Sequence, residues 1–117
     1  MRFIKNLGWA WRGIRSFFKT EANGRIQGVI ALLMIAAGIF FKITAHEWIW
    51  VLGCIALVLC LEMINSAIEK LCNLITTDFH PEIKTIKDIS AGAVLLASIV
   101  SAAIGLIIFL PYLYRLF

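Results

Sequence analysis

Three apolar runs constrain this chain more than any other feature: Ile26–Phe41, Trp48–Leu61 and Ile89–Leu113. A helix needs about 20 residues to cross a hydrocarbon core, with a range of ~17–25. The first two runs are short of that, but both extend at one end if a few polar residues are buried against protein. The third is long enough to tilt or to run into the interface. The 117 residues amount to one domain. With 62% hydrophobic residues and charge on only 15% of positions, the chain is too apolar for a soluble protein of this size. The expected fold is an all-α integral membrane protein in a single domain. An amphipathic surface helix (1–20) precedes three transmembrane helices (25–42, 47–71 and 87–113), and a polar connector (74–86) joins the last two.

Charge sets the orientation. Arg2, Lys5, Arg12, Arg15, Lys19 and Arg25 precede the first span, and Lys70, Lys84 and Lys87 lie between the second and third; only Lys42 and Arg115 fall on the other side. By the positive-inside rule the N-terminus and the connector are cytoplasmic, and the Lys42–Glu47 turn and the C-terminus lie outside. A cleaved signal peptide is not expected, because the first apolar run begins only after Arg25, carries Glu21 upstream and lacks a small-residue cleavage site. Cys54, Cys60 and Cys72 show neither metal spacing nor a disulfide framework, and are read as packing residues.

Residues 1–20 divide cleanly on a helical wheel. Phe3, Ile4, Leu7, Trp11, Ile14 and Phe18 span an arc of about 100°, and Lys5, Arg12, Arg15 and Lys19 group opposite. Such a helix suits the surface of an anionic inner leaflet. Arg2 and Trp9 share a separate sector, where they could bind a polar ligand or simply snorkel. The TEANG stretch that follows reads as a break, with Thr20 as N-cap of the first span. Further on, Pro81 is placed to open a short helix in the connector. The Ala93, Ala97, Ser101 and Gly105 spacing in the third span reads as plain helix packing.

The second span ends in CLEMINSAIEKLCN, residues 60–73. At about 100° per residue Asn65, Glu69 and Asn73 fall within roughly 60° of Glu62, a single polar stripe. Except for Glu47, every acid lies on the cytoplasmic side: Glu21, Glu62, Glu69, Asp78, Glu82 and Asp88. Glu21 and the Lys87–Asp88 pair are expected at the depth of that stripe. Ionisable groups at such a level are expensive and point to a functional site. The bland readings are an interhelical hydrogen bond for Asn65 and a local ion pair of Asp88 with Lys84 or Lys87.

Glu21 and Glu69 could hold a magnesium ion, which needs only one or two carboxylates when phosphates complete its shell. Glu62 sits deeper, where desolvation makes a carboxylate a better base. Lys87 could neutralise phosphate charge. These parts suit phosphoryl transfer to a hydroxyl at a membrane surface. The Walker A loop, the G-x-G-x-x-G turn and the protein-kinase motifs are all absent, which excludes a soluble-type kinase. The residues alone leave a membrane enzyme or a transporter. A transporter would use Glu62 as a coupling site and would want acids open to both sides; a pore-forming protein would not need Lys87–Asp88 beside Glu69.

E-M-I-N-S-A-I-E at Glu62–Glu69, then D-F-H-P, then K-D-I-S-A-G-A-V at Lys87–Val94, resembles the prokaryotic diacylglycerol kinase family, which includes the undecaprenol kinases. The likeness covers essentially the whole chain. It implies a lipid kinase of the bacterial inner membrane that moves the γ-phosphoryl group of ATP, with Mg2+, to a lipid alcohol. Diacylglycerol is the first expectation and undecaprenol the alternative. It also implies a homotrimer with active sites shared between protomers, and no nucleic-acid partner.

Carried onto this chain, Glu62 is the implied general base and Asn65 supports it, while Glu21 and Glu69 are the implied magnesium ligands. Arg2, Trp9, Glu21, Glu69, Asp78, Phe79, His80, Lys87 and Asp88 match nucleotide-binding positions. Trp11, Arg12, Arg15 and Ala91 match positions that meet the lipid substrate. The chain departs from the family pattern at several places. Asn73 stands where Asp is common, Asp78 for Glu, Phe79 for Tyr and Trp9 for a frequent Tyr; Ala91 replaces Ser and leans toward the undecaprenol kinases.

Overall fold

The computed structural model describes residues 1–117 as four helices and no strand. They are α1 (Arg2–Thr20), α2 (Ala22–Phe41), α3 (Ala45–Ile75) and α4 (Pro81–Leu116). The last three are long and apolar enough to cross a membrane, as the apolar runs require. At 1.5 Å per residue α2 spans about 30 Å and α4 about 54 Å. The second figure equals the longest dimension of the molecule, 54 Å. A hydrocarbon core of about 30 Å is therefore matched by α2, whereas α3 and α4 project beyond it.

The projection is at the end that carries α1. The connector expected over 74–86 is helical at both of its ends, leaving only residues 76–80 outside helices. Pro81 opens α4 itself rather than a separate short helix: its missing N–H falls where a helix has no internal acceptor anyway. The His80 imidazole caps the same end, with Nδ1 accepting from the Glu82 N–H at 3.2 Å.

Thr20 does not cap α2. Its hydroxyl donates back to the Ser16 carbonyl at 2.8 Å, which carries α1 through Thr20 and moves the break to Glu21. Glu21 has extended backbone (φ −105°, ψ 118°) between the two helices. The corner is held from both sides. Arg25 Nη1 donates to the carbonyls of Phe18 and Lys19 at 3.2 and 2.8 Å, satisfying acceptors at the end of α1. The Phe17 ring lies against Gly24, where only a glycine leaves room for it.

At the far end the turn from α2 to α3 uses Lys42 in the left-handed region (φ 53°) and a capping box. The Thr44 hydroxyl accepts from the Glu47 N–H at 3.1 Å, and the Glu47 carboxylate accepts from the Thr44 N–H at 2.9 Å. Glu47 also accepts from the Tyr112 hydroxyl, which ties the start of α3 to the end of α4. Around that tie pack Ile43, Val51, Ile108 and Phe109, with Phe41, Trp48 and Tyr112 at the margin. Between the helices runs an apolar groove of about 670 Å³, lined in part by Ala31, Met34, Val58, Ser101, Ile104 and Gly105. All three cysteines are free; Cys72 is buried, but Cys60 faces outward instead of packing.

Candidate active site

The polar groups at the α1 end are arranged by the register of α3. Glu62, Ser66 and Lys70 recur every four residues along one line of that helix, and Asn65, Glu69 and Asn73 form the adjacent line. Glu62 and Ser66 are buried, at 8% and 7% exposure. For a carboxylate inside a membrane bundle this burial is a strong constraint, because an ionised group there needs partners.

Glu21 reaches the wall from the α1–α2 corner. The Ser66 hydroxyl donates to Glu21 Oε1 at 2.7 Å, and Lys70 Nζ lies 3.7 Å from the same oxygen. Since α2 begins one residue later, this bond fixes Ser66 at the level where the first span starts. Glu62, four residues back along α3, is therefore about 6 Å deeper. Glu62 lies about two turns from Glu69 on α3 and one turn from Ser66, which holds Glu21. The Asn65 Nδ2 donates to Glu69 Oε1 at 3.4 Å, whereas its Oδ1 is buried without a protein partner.

Lys87 joins the group at a different level from the one expected. Its ammonium donates to Asn73 Oδ1 at 2.8 Å, seven residues beyond Ser66 and so about 10 Å farther out than Glu21. Asp88 is turned to its own helix, where it pairs with Lys84 at 2.7 Å in an exposed i,i+4 bridge. That is the local pairing weighed for it above. Asp78, Phe79 and His80 lie in the short connector: the Asp78 N–H donates to Thr76 Oγ1, Phe79 is exposed and His80 caps α4. Arg2, Trp9, Trp11, Arg12 and Arg15 are all exposed on α1, and Ala91 is exposed on α4.

The chain thus brings together Glu21, Glu62, Asn65 and Glu69, with Lys87 above them, and leaves the remaining expected residues outside the cluster. Two members of the wall, Ser66 and Lys70, carried no assigned role in the sequence. On the wheel they sit about 40° and 80° from Glu62, on the side opposite Asn65, so the polar stripe is wider than the acids and amides alone mark.

The donor set is of hard oxygen atoms: two carboxylates from different elements, a hydroxyl and the orphaned amide oxygen of Asn65. No group of three His, Cys, Asp or Glu side chains converges as a complete metal cage. Oxygen donors of this kind would suit magnesium carried in by phosphates, which needs only one or two ligands from the protein. They do not suit zinc or a softer metal.

Fold and site together define a multi-pass helical membrane protein with a buried carboxylate at one mouth of its bundle. The family model described as prokaryotic diacylglycerol kinase matches residues 8–109, and the chain belongs to that family. Its relatives include the undecaprenol kinase of Bacillus subtilis (strain 168), 38% identical over 112 residues that cover 96% of this chain and 91% of that protein. Another is the diacylglycerol kinase of Escherichia coli (strain K12), 33% identical over 100 residues, 86% of this chain and 82% of the other. The all-helical membrane fold and the family drawn from the sequence motifs are both borne out.

Proposed function

We propose that the protein is an ATP- and Mg2+-dependent lipid kinase that transfers the γ-phosphoryl group to the hydroxyl of a lipid alcohol, diacylglycerol in the first reading. Family membership supports the reaction class and removes the ground for the transporter alternative. The observation that carries the site is the Ser66–Glu21 bond, which draws the corner carboxylate onto the α3 wall beside buried Glu62.

In this reading the lipid lies with its apolar body in the membrane and its hydroxyl at the level of Glu62. The carboxylate of Glu62 takes the hydroxyl proton as the oxygen bonds to the γ-phosphorus and the bond to the ADP oxygen breaks. The products are a phosphorylated lipid and ADP, with the proton left on Glu62. No phosphoenzyme is formed. Asn65 keeps Glu69 oriented through its Nδ2, and its unpartnered Oδ1 is free for a ligand. Glu21 and Glu69 would hold the magnesium ion, which when bound offsets phosphate charge. Lys87, whose ammonium donates to the neutral Asn73 amide, would meet the phosphates. Most of the rate comes from positioning and charge neutralisation, as phosphoryl transfer requires.

The nucleotide would also meet Arg2, Trp9, Asp78, Phe79, His80 and Asp88, and the lipid Trp11, Arg12, Arg15 and Ala91. A homotrimer with shared sites accounts for the separation of these groups from Glu62 within one protomer. It also accounts for apolar side chains exposed along the spans, such as Leu33 at 60% and Ile107 at 73%, part of which a neighbouring copy would cover. The surface helix and connector would face the cytoplasm of a bacterial cell, at the inner membrane, as the basic residues flanking them favour.

A second reading has its own support. The 38% identity to a protein named undecaprenol kinase, together with Ala91, favours undecaprenol as acceptor. The test is labelled phosphate transfer from ATP in mixed micelles containing either alcohol. Labelled lipid with one acceptor names the substrate. No label with either, from folded protein, would overturn the kinase reading for these alcohols.

A further inference from the structure

We propose that Ser66 is a positioning residue for Glu21: its hydroxyl aims that carboxylate at the metal–phosphate site, a role that rests on the lipid-kinase reading above. Glu21 occupies the N-cap of α2, yet its side chain makes no capping bond to its own helix. A carboxylate at that position has free N–H groups of the first turn within local reach. Here it is drawn the other way, across to α3.

Ser66 also forgoes its local option. A serine inside a membrane helix ordinarily donates to the carbonyl four residues earlier, here that of Glu62. Its hydroxyl donates instead to Glu21 Oε1 at 2.7 Å, the length of a charge-assisted bond. The donor is 7% exposed, so little water competes for it. Lys70 approaches the same oxygen at 3.7 Å, but its side chain is 58% exposed and its hold is correspondingly weak. A carboxylate offers about four lone-pair sites, so one hydroxyl donor fixes its orientation and leaves capacity for a ligand.

The geometric consequence is specific. Glu21 stands on a corner between two helices and Glu69 on the rigid α3; a metal shared between them needs a fixed span. The Ser66 bond crosses 45 residues of sequence to set that span. Without it, Glu21 is free to return to its own helix end.

The test uses the full-length protein in detergent with Mn2+ as a spectroscopic probe in the presence of ATP. Wild type, Ser66→Ala, Ser66→Cys and Ser66→Thr are compared for Mn2+ affinity by electron paramagnetic resonance, for thermal midpoint, and for kcat against the KM for Mg2+. The Ala and Cys variants are expected to bind Mn2+–ATP about 10-fold more weakly and to raise the KM for Mg2+ by a similar factor. The Cys variant keeps the volume but donates poorly. Ser66→Thr, which keeps the hydroxyl, is expected to restore affinity. Equal Mn2+ affinity in wild type and Ser66→Cys would overturn the proposal, as would failure of Ser66→Thr to recover affinity at an unchanged midpoint. If Ser66→Ala does not fold, the Cys and Thr pair decides alone. Phosphoryl transfer by wild type with no change in the Cys variant removes the positioning role only. A wild type that binds Mn2+–ATP in a Ser66-dependent way but transfers nothing removes the kinase reading only.

Discussion

The contact between Phe17 and Gly24 sets the angle of the surface helix, and it gives a quantitative test of the fold around the site. A Cβ added at Gly24 would stand 2.6 Å from two atoms of the Phe17 ring, so the ring must retreat by at least 0.8 Å to reach ordinary contact at 3.4 Å. The ring has little room to do so. Phe17 is 5% exposed and packs edge-on against Phe18, whose own ring lies 3.2 Å from the Cβ position of Gly28.

Overpacking of this kind costs ~1–3 kcal/mol. Replacing glycine by alanine inside a helix returns ~1 kcal/mol. Gly24→Ala should therefore lose about 1 kcal/mol net, roughly a fivefold shift in the folded-to-unfolded ratio. Gly13→Ala, with nothing within 4 Å, is the control and should gain up to ~1 kcal/mol. Denaturant titration in micelles reads both. Gly24 lies three residues past Glu21, so a displaced α1–α2 corner should also raise the Mg2+ concentration needed for half-maximal turnover. Phe17→Leu should relieve the Gly24→Ala defect in the double variant. A Gly24→Ala protein as stable as the Gly13→Ala control, with no coupling to Phe17→Leu, would refute the packing described for α1.

Two further outcomes follow from the separation of the two ends of the bundle. Glu69→Gln should raise the Mg2+ concentration needed for half-maximal activity by about 10-fold while leaving thermal stability nearly unchanged; an unaltered Mg2+ titration would place the metal elsewhere. Tyr112→Phe removes the donor to Glu47 at the opposite end, and should cost ~0.5–1.5 kcal/mol of stability with kcat and KM unchanged. A fall in kcat in that variant, measured at a temperature where it is fully folded, would show that the two ends are coupled.

Much of this arrangement is legible in the sequence. Three spans follow from apolar length, and the polar stripe on the second from its 3.6-residue period. The break near Glu21 is legible too, but its cap is not, because Thr20 has a local acceptor in the Ser16 carbonyl that competes with capping. The connector is shorter than its polar stretch suggests, because residues 81–86 are as compatible with the first turns of a projecting helix as with a loop. Depth along the third span was the other miss. Lys87 was expected beside Glu21, yet it pairs with Asn73, since the short 76–80 link fixes where α4 begins against α3. Ser66 stood in the quoted motif without a role. Its importance comes from a contact 45 residues away, which no local period encodes.

The central claim is that buried Glu62 is the base that accepts the lipid hydroxyl proton, and Glu62→Gln measures it most directly. The amide keeps the shape and the neutral hydrogen-bonding capacity of the side chain but cannot take the proton. Turnover of labelled ATP into phospholipid should be compared with nucleotide affinity on the same preparation. The account predicts that phosphorylated lipid falls below detection while Mg2+–ATP still binds and the thermal midpoint holds. Retention of wild-type turnover by Glu62→Gln would contradict it.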